Sequence, residues 1–408
     1  MDKTKQILQF LKNLITSNLY AVSLYSRKIA GAFSVFFIAR YLSVYDYGLY
    51  SSYANLASYL LLIANLGYNE FILVSSNNEA KMVKIKQTFF IGMAVLITAL
   101  YLLVSAFVPI EDHLVFALVM VKSFFDGTFF ALVLPYFQAS KKFKQIGIIN
   151  ILYSIVSIVI AVCALMLKLS LVKYLIIYLV LGVINFVQCS FYIKINYFKF
   201  FKLFRNVGKI IDKRIIPYMT SSALLLTRIS LPSLVVATLF PKETAALFFA
   251  SNNIATIPSL FALAQLQQIL PEMINKSKDE VIRVMKKSAL VIFYINAVVV
   301  VFLLLFGKNL LLLIYNKEYY LNGYPILVLL SVITLLNGVS GVLATYLTAS
   351  GNQKFNQRCQ VEGFIISVVS LAVLYRFGIY AILLFYFILM AYFLPRYLIF
   401  IRRYLKSL

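Results

Sequence analysis

The chain has 408 residues, of which 62% are hydrophobic and only 13% charged, and its mean hydropathy is +0.90. That composition excludes an ordinary soluble domain, and the twelve stretches of roughly 20 apolar residues along it leave no room for a soluble catalytic domain. The net charge of +24 would suggest nucleic acid in a soluble protein. Here Lys and Arg gather between apolar runs, where they set membrane orientation, so no nucleic-acid partner is expected.

Residues 1–12 are basic and amphipathic, with Ile7, Leu8 and Leu11 on one side, and no small-residue cleavage site follows. They read as an interfacial lead-in helix and not as a signal peptide. Membrane spans are expected at about 14–39, 47–74, 87–108, 113–138, 147–167, 174–193, 215–240, 245–270, 288–308, 323–348, 359–376 and 378–399. With the N-terminus in the cytoplasm, 27 of the 38 basic residues fall on the cytoplasmic side, seven outside and four within spans. The imbalance places both termini in the cytoplasm.

The longest hydrophilic connection, 194–214, interleaves Tyr197, Phe198, Phe200, Phe201 and Phe204 with Lys199, Lys202 and Arg205. It is expected to lie along the cytoplasmic membrane surface and to join two six-span lobes, 1–193 and 215–408. Two matches relate those lobes. At an offset of 198, Leu49-Tyr50 and Asn55-Leu56-Ala57-Ser58 match Leu247-Phe248 and Asn253-Ile254-Ala255-Thr256. At an offset of 210, Tyr136 to Ser140 matches Tyr346 to Ser350, and Lys142-Phe143 matches Lys354-Phe355 after a two-residue insertion. Both pairs lie six spans apart, so the copies enter the membrane in the same direction as parallel repeats.

Four cations fall inside spans. Arg27 and Lys28 lie near the middle of the first, Lys122 in the fourth and Arg228 near the middle of the seventh, the equivalent of the first. A charge at mid-bilayer costs at least about 2.5–3.5 kcal/mol on insertion scales, so each needs water or a partner. Thr16, Tyr20, Ser23, Arg27, Gly31 and Ser34 form a polar stripe at helical spacing that would turn Arg27 to a cavity between the lobes. In the seventh span Ser221, Arg228 and Pro232 can share a face, with Pro217 and Pro232 bending the helix. Lys28 has a cavity or a structural role open to it. Lys122 and Asp126, one turn apart, read either as an intrahelical ion pair or as a substrate or proton site.

Acids in or near spans are few, Glu70, Asp126 and Glu362, so the embedded charge is net positive. Guanidinium groups suit phosphate or carboxylate, and the expected ligand is an anion. Amides at Asn55, Asn65, Asn252, Asn253, Gln265, Gln267, Gln268 and Asn337 could meet sugar hydroxyls or bond between helices. Cys163, Cys189, Cys359 and His113 show no metal-ligand spacing. No metal or cofactor is expected.

The stretch Ala39-Arg40-Tyr41-Leu42-Ser43-Val44-Tyr45-Asp46-Tyr47-Gly48-Leu49-Tyr50, directly after a first span, resembles the start of the polysaccharide transporter family. There an Arg-x-Leu element precedes an acid, an aromatic and Gly-Leu-Tyr. The Ala-Ser pair followed by Lys-Phe after the fourth and tenth spans is similar to that family too. On these residues the chain resembles a Wzx-type O-antigen or repeat-unit flippase, over essentially its whole length.

The resemblance implies the multidrug/oligosaccharidyl-lipid/polysaccharide (MOP) exporter fold: an all-α polytopic protein of twelve helices in two six-helix lobes around a central cationic cleft, working by alternating access. It implies as substrate an undecaprenyl-pyrophosphate-linked oligosaccharide of O-antigen, lipopolysaccharide or capsule type, moved from the cytoplasmic to the outer leaflet. Arg27 and Arg228 would engage the pyrophosphate, with Lys28 and Lys122 as further substrate-binding candidates. The prenyl tail would stay among membrane lipids. H+ or Na+ coupling is left open, with Asp126, Glu362 and Glu70 as the acids to test. A polysaccharide polymerase and chain-length machinery are candidate partners.

Two rivals remain. A cation-coupled multidrug exporter of the same fold would need more acids in the cavity. A membrane-embedded polymerase or glycosyltransferase would need paired acids or a large outward loop, whereas the longest here, about Lys308 to Asn322, carries only Glu318. The chain is expected not to be an enzyme.

Overall fold

A computed structural model describes residues 19–65, 112–128, 143–193, 216–259, 278–315, 318–350 and 352–406. These residues form eleven α-helices and two short 3-10 segments, with no strand among them. The helices are α1 (Leu19–Tyr41), α2 (Val44–Asn65), α3 (His113–Thr128), α4 (Phe143–Met166), α5 (Leu171–Ile193), α6 (Ile216–Leu239), α7 (Lys242–Ala255), α8 (Lys278–Tyr315), α9 (Tyr324–Ala349), α10 (Gln353–Leu374) and α11 (Ile379–Lys406). They account for every expected span except the third, which with Glu70, the 194–214 connection and the N-terminal 18 residues lies outside the described residues.

Among the described residues six helices are long and apolar enough to cross a membrane, and rows of large apolar side chains on α4, α8 and α10 are exposed. Apolar surface left outward on this scale is stable only in lipid. The protein is a multi-pass membrane protein.

The repeat is visible in the packing. In the first half α1 packs on α4, α2 on α3, α3 on α5 and α4 on α5; in the second half α6 packs on α10, α7 on α9, α9 on α11 and α10 on α11. These are the same four neighbour relations at equivalent places. The helix starts carry the offsets as well, since Val44 and Lys242 are 198 apart and Phe143 and Gln353 are 210 apart. Between the halves α2 packs on α6 and α7, and α1 meets α8.

Three boundaries differ from expectation. The ninth span belongs to a helix of 38 residues, about 57 Å long at 1.5 Å per residue. It continues past the bilayer because Asp279, Glu280, Arg283, Lys286 and Lys287 tolerate water and nothing in its first turns breaks a helix. Its far end extends to Tyr315 and is followed by a 3-10 turn, Glu318–Gly323, so the supposed longest outward loop is mostly helical. The eighth span is interrupted: α7 stops at Ala255, where Thr256 caps it through its N–H and hydroxyl to the Asn252 carbonyl. Helical backbone resumes at Ile257, and Pro258 sits in the first turn of that next segment, where its missing N–H costs no helical bond.

The halves interlock at the side that the charge distribution assigns to the exterior. Tyr315 and Tyr320 stack with centroids 4.4 Å apart, and Tyr47 meets both rings edge-on or tilted. All three are fully buried. Asn253 donates to the Tyr47 hydroxyl at 3.0 Å, the Tyr315 hydroxyl donates to the Ala250 carbonyl, and Ser251 donates to the Gly323 carbonyl.

Candidate functional site

Each half buries one arginine, and the two are held differently. Arg27 is 6% exposed. Its Nη1 donates to Asn150 Oδ1 at 3.2 Å, its Nη2 lies 4.0 Å from Asp126 Oδ1, and its guanidinium sits 4.1 Å over the Tyr153 ring. Asp126 also accepts from Lys122 Nζ at 3.0 Å and from the Tyr153 hydroxyl at 3.1 Å. The Lys122 ammonium stands 5.5 Å from the Tyr178 ring centroid. Two cations therefore share one carboxylate, and the cluster keeps a formal charge of +1.

The i,i+4 spacing on α3 makes the Lys122–Asp126 pair. The polar stripe of α1, expected toward a cavity between the lobes, turns instead to α4 in its own half. Ser26 meets Ser154, Ser34 meets Ser157 and the Tyr178 hydroxyl, and Asn150 reaches back to Ser23. Serines 154 and 157 of α4 supply the matching polar face, which is the reason the stripe seats there. The Lys28 side chain lies outside the described residues, as do those of Tyr20 and Ser221.

Arg228 is 4% exposed, and its guanidinium lies 3.8 Å over the Phe393 ring of α11. Its Nε and Nη1 have no hydrogen-bond partner among the described residues, and no carboxylate stands within ion-pair distance there. Gly363 of α10 lets the Phe393 ring approach, since a Cβ at that position would overlap it. Beside the ring Gln360 Nε2 donates to Asn356 Oδ1 at 3.2 Å and to the Tyr397 hydroxyl at 2.8 Å, and that hydroxyl donates to Asn356 Oδ1 at 3.0 Å. Gln360 Oε1 is buried without a partner. Pro232, one turn beyond Arg228 on α6, has no N–H to give the Arg228 carbonyl.

A second cluster in this half surrounds Glu362. Arg358 Nε donates to it at 2.9 Å, and Arg396 and the Tyr392 hydroxyl bond its other oxygen. Again two cations share one acid.

Arg27, Lys122 and Asp126 are thus brought together, Arg228 stands in the other half, and Glu362 belongs to a separate cluster. Asn150, Tyr153, Phe393, Asn356, Gln360 and Tyr397 complete these sites, and none was singled out from the sequence. Only the repeat could have pointed to one of them, since Asn150 and Gln360 are 210 residues apart.

No family model matches the chain. A 148-residue stretch, 35% of this chain and 37% of the relative, is 29% identical to the capsular polysaccharide biosynthesis protein CapF of Staphylococcus aureus. Among solved structures the chain is similar to the lipid II flippase MurJ in an inward closed conformation, with a TM-score of 0.72 and 14% identity over 94% of this chain and 87% of that one. It is similar to an inward-facing multidrug resistance MATE family transporter of the MOP superfamily, with a TM-score of 0.67 and 14% identity over 94% and 98%. A MOP superfamily transporter from Pyrococcus furiosus, whose binding pocket is described as reversed in polarity, gives 0.65 and 12% over 94% of each chain. The chain shares the fold of these proteins, twelve helices in two lobes.

Proposed function

We propose that the protein is a flippase that carries a polyprenyl-pyrophosphate-linked oligosaccharide from the cytoplasmic to the outer leaflet of a bacterial plasma membrane. The observation that carries this reading is the uncompensated positive charge buried in each half, at Arg228 and at the Arg27–Lys122–Asp126 cluster. A buried arginine without a carboxylate is costly in lipid and suits a passing phosphate. The lipid II flippase with the same fold and the capsule-biosynthesis relative are in keeping with it.

Arg228 makes the direct bonds to the pyrophosphate, and Arg27 and Lys122 supply the positive potential of the opposite half. The saccharide occupies the wet space between the halves while the prenyl tail remains in lipid, and rocking of the halves exposes the site outward. Moving an anion outward through an inside-negative potential releases about 2.3 kcal/mol per charge per 100 mV. Asp126 and Glu362 already give their oxygens to two cations and a tyrosine hydroxyl each, so they serve as counter-ions and not as carriers of a coupling ion.

The test is leaflet exchange of a fluorescent undecaprenyl-pyrophosphate saccharide in proteoliposomes under an imposed potential. Exchange that rises with inside-negative potential supports the reading. Its absence with several saccharides, together with transport of organic cations, would overturn it.

A further inference from the structure

The repeat sets two polar pairs at equivalent places, and only one of them is formed. In the first half Arg27 of α1 bonds Asn150 of α4. In the second half the equivalent helices α6 and α10 carry Arg228 and Gln360, the latter at the same register as Asn150 by the 210-residue offset. Arg228 Nε and Nη1 and Gln360 Oε1 are each buried and without partners among the described residues. A donor and an acceptor left open on two packed helices cost stability, and more so when one is charged, unless something is bound there for part of the cycle.

The surroundings form one continuous seat. Arg228 lies on the Phe393 ring, Phe393 packs on Tyr397 with centroids 5.6 Å apart, and Tyr397 bonds Gln360. Gly363, one turn from Gln360 on the same face of α10, holds that helix against Phe393. Pro232 leaves the Arg228 carbonyl without its helical N–H donor. The seat therefore offers two charged donors, an aromatic floor and neutral acceptors beside them. A free inorganic anion has no use for the acceptors, since it brings few protons to donate. A phosphoryl group with a sugar attached uses both.

We infer that the second half holds the primary headgroup seat, in which Arg228 Nε and Nη1 clasp a phosphoryl group while Gln360 Oε1 accepts a hydroxyl of the adjoining sugar, making Gln360 a specificity-determining residue. This rests on the function proposed above. The two halves are accordingly unequal: Arg27 bonds Asn150 and faces Asp126 in its own half, and Arg228 awaits the substrate.

The experiment uses the full chain in nanodiscs and three probes: radiolabelled geranylgeranyl pyrophosphate, the same lipid bearing N-acetylglucosamine on the terminal phosphate, and inorganic pyrophosphate. Arg228→Lys keeps the charge and loses the fork, and is expected to weaken both lipid probes at least tenfold while remaining monodisperse. The native chain is expected to prefer the glycosylated lipid at least fivefold, and Gln360→Leu to reduce that preference below twofold. Native affinity for both lipid probes in Arg228→Lys, or a preference kept intact in Gln360→Leu, would overturn the seat. Inorganic pyrophosphate binding as tightly as the lipids, and weakened by Arg228→Lys, would keep the anion site but overturn both the sugar contact and the lipid-linked substrate. Loss of leaflet exchange with the seat intact would remove the flippase alone.

Discussion

Gly48, at the start of α2, lies against the main chain of Lys242, at the start of α7, so closely that a Cβ at position 48 would overlap the Lys242 carbonyl. The two positions belong to different halves, four residues apart once the repeat offset of 198 is applied. Glycine here is a matter of space, and it lets the halves close face to face on the side that the charge distribution assigns to the exterior.

Gly48→Val is expected to favour the outward-open arrangement. Overpacking costs typically about 1–3 kcal/mol, which changes a conformational equilibrium by roughly five- to 150-fold. Labelling of a cysteine placed at Ser51, buried next to the seal, by a membrane-impermeant thiol reagent reads this out. A rate equal to that of the glycine parent would show that the contact does not hold the outer face shut.

Tyr47→Phe tests the same seal by a different interaction. It removes the hydrogen bond from Asn253 across the halves and keeps the ring packed on Tyr315 and Tyr320. A net bond of about 0.5–1.5 kcal/mol predicts faster labelling at position 51 by a factor between two and ten. Tyr320→Phe, outside that bond, is expected to change it less.

Asp126→Asn leaves Arg27 and Lys122 facing each other without an acid. Breaking a buried pair by removing one partner costs about 3–5 kcal/mol, and the low end is expected because the Asp126 side chain is still 29% exposed. Thermal unfolding in detergent should show a clear drop in Tm, and pairing the change with Lys122→Met should recover part of it. No recovery would mean that Lys122 and Asp126 act independently.

Gly363→Ala drives a methyl group into the Phe393 ring and is expected to lower stability by about 1–3 kcal/mol. Phe393→Leu alone should also destabilise, by loss of ring packing and of the Arg228 stacking. A double-mutant cycle on thermal stability should then show coupling between the two sites, with the Gly363→Ala cost nearly absent in the leucine background. Additive costs would place the strain elsewhere.

Much of the fold was legible because lipid imposes a simple rule. An apolar run of roughly 20 residues has one stable arrangement in lipid, a spanning helix, and residues 147–167 and 378–399 read that way without ambiguity. The parallel repeat was legible from Asn55 and Asn253 and from the two Ala-Ser pairs. The extent of α8 was not, because its first turns are helical and charged, and hydropathy ends a span where apolar residues end. Nor was the break at Thr256, because the apolar run continues through it and a single turn residue leaves no mark in hydropathy.

The candidate site was half legible. Composition alone revealed that Arg27, Lys122 and Arg228 are too costly to stand in lipid without a reason, and i,i+4 spacing revealed the Lys122–Asp126 pair. What each cation meets depends on side chains 100 or more residues away, Asn150 for Arg27 and Phe393 for Arg228, and no local pattern encodes such a meeting. Periodicity places a residue on a face of its own helix; the neighbour that face meets is chosen by packing between helices. The sequence by itself therefore determined the spans, the repeat and the sign of the buried charge. Only the tertiary structure decided that Arg27 is held inside its own half, that Arg228 is left with open donors, and that Gly48 and Lys242 bring the two halves together.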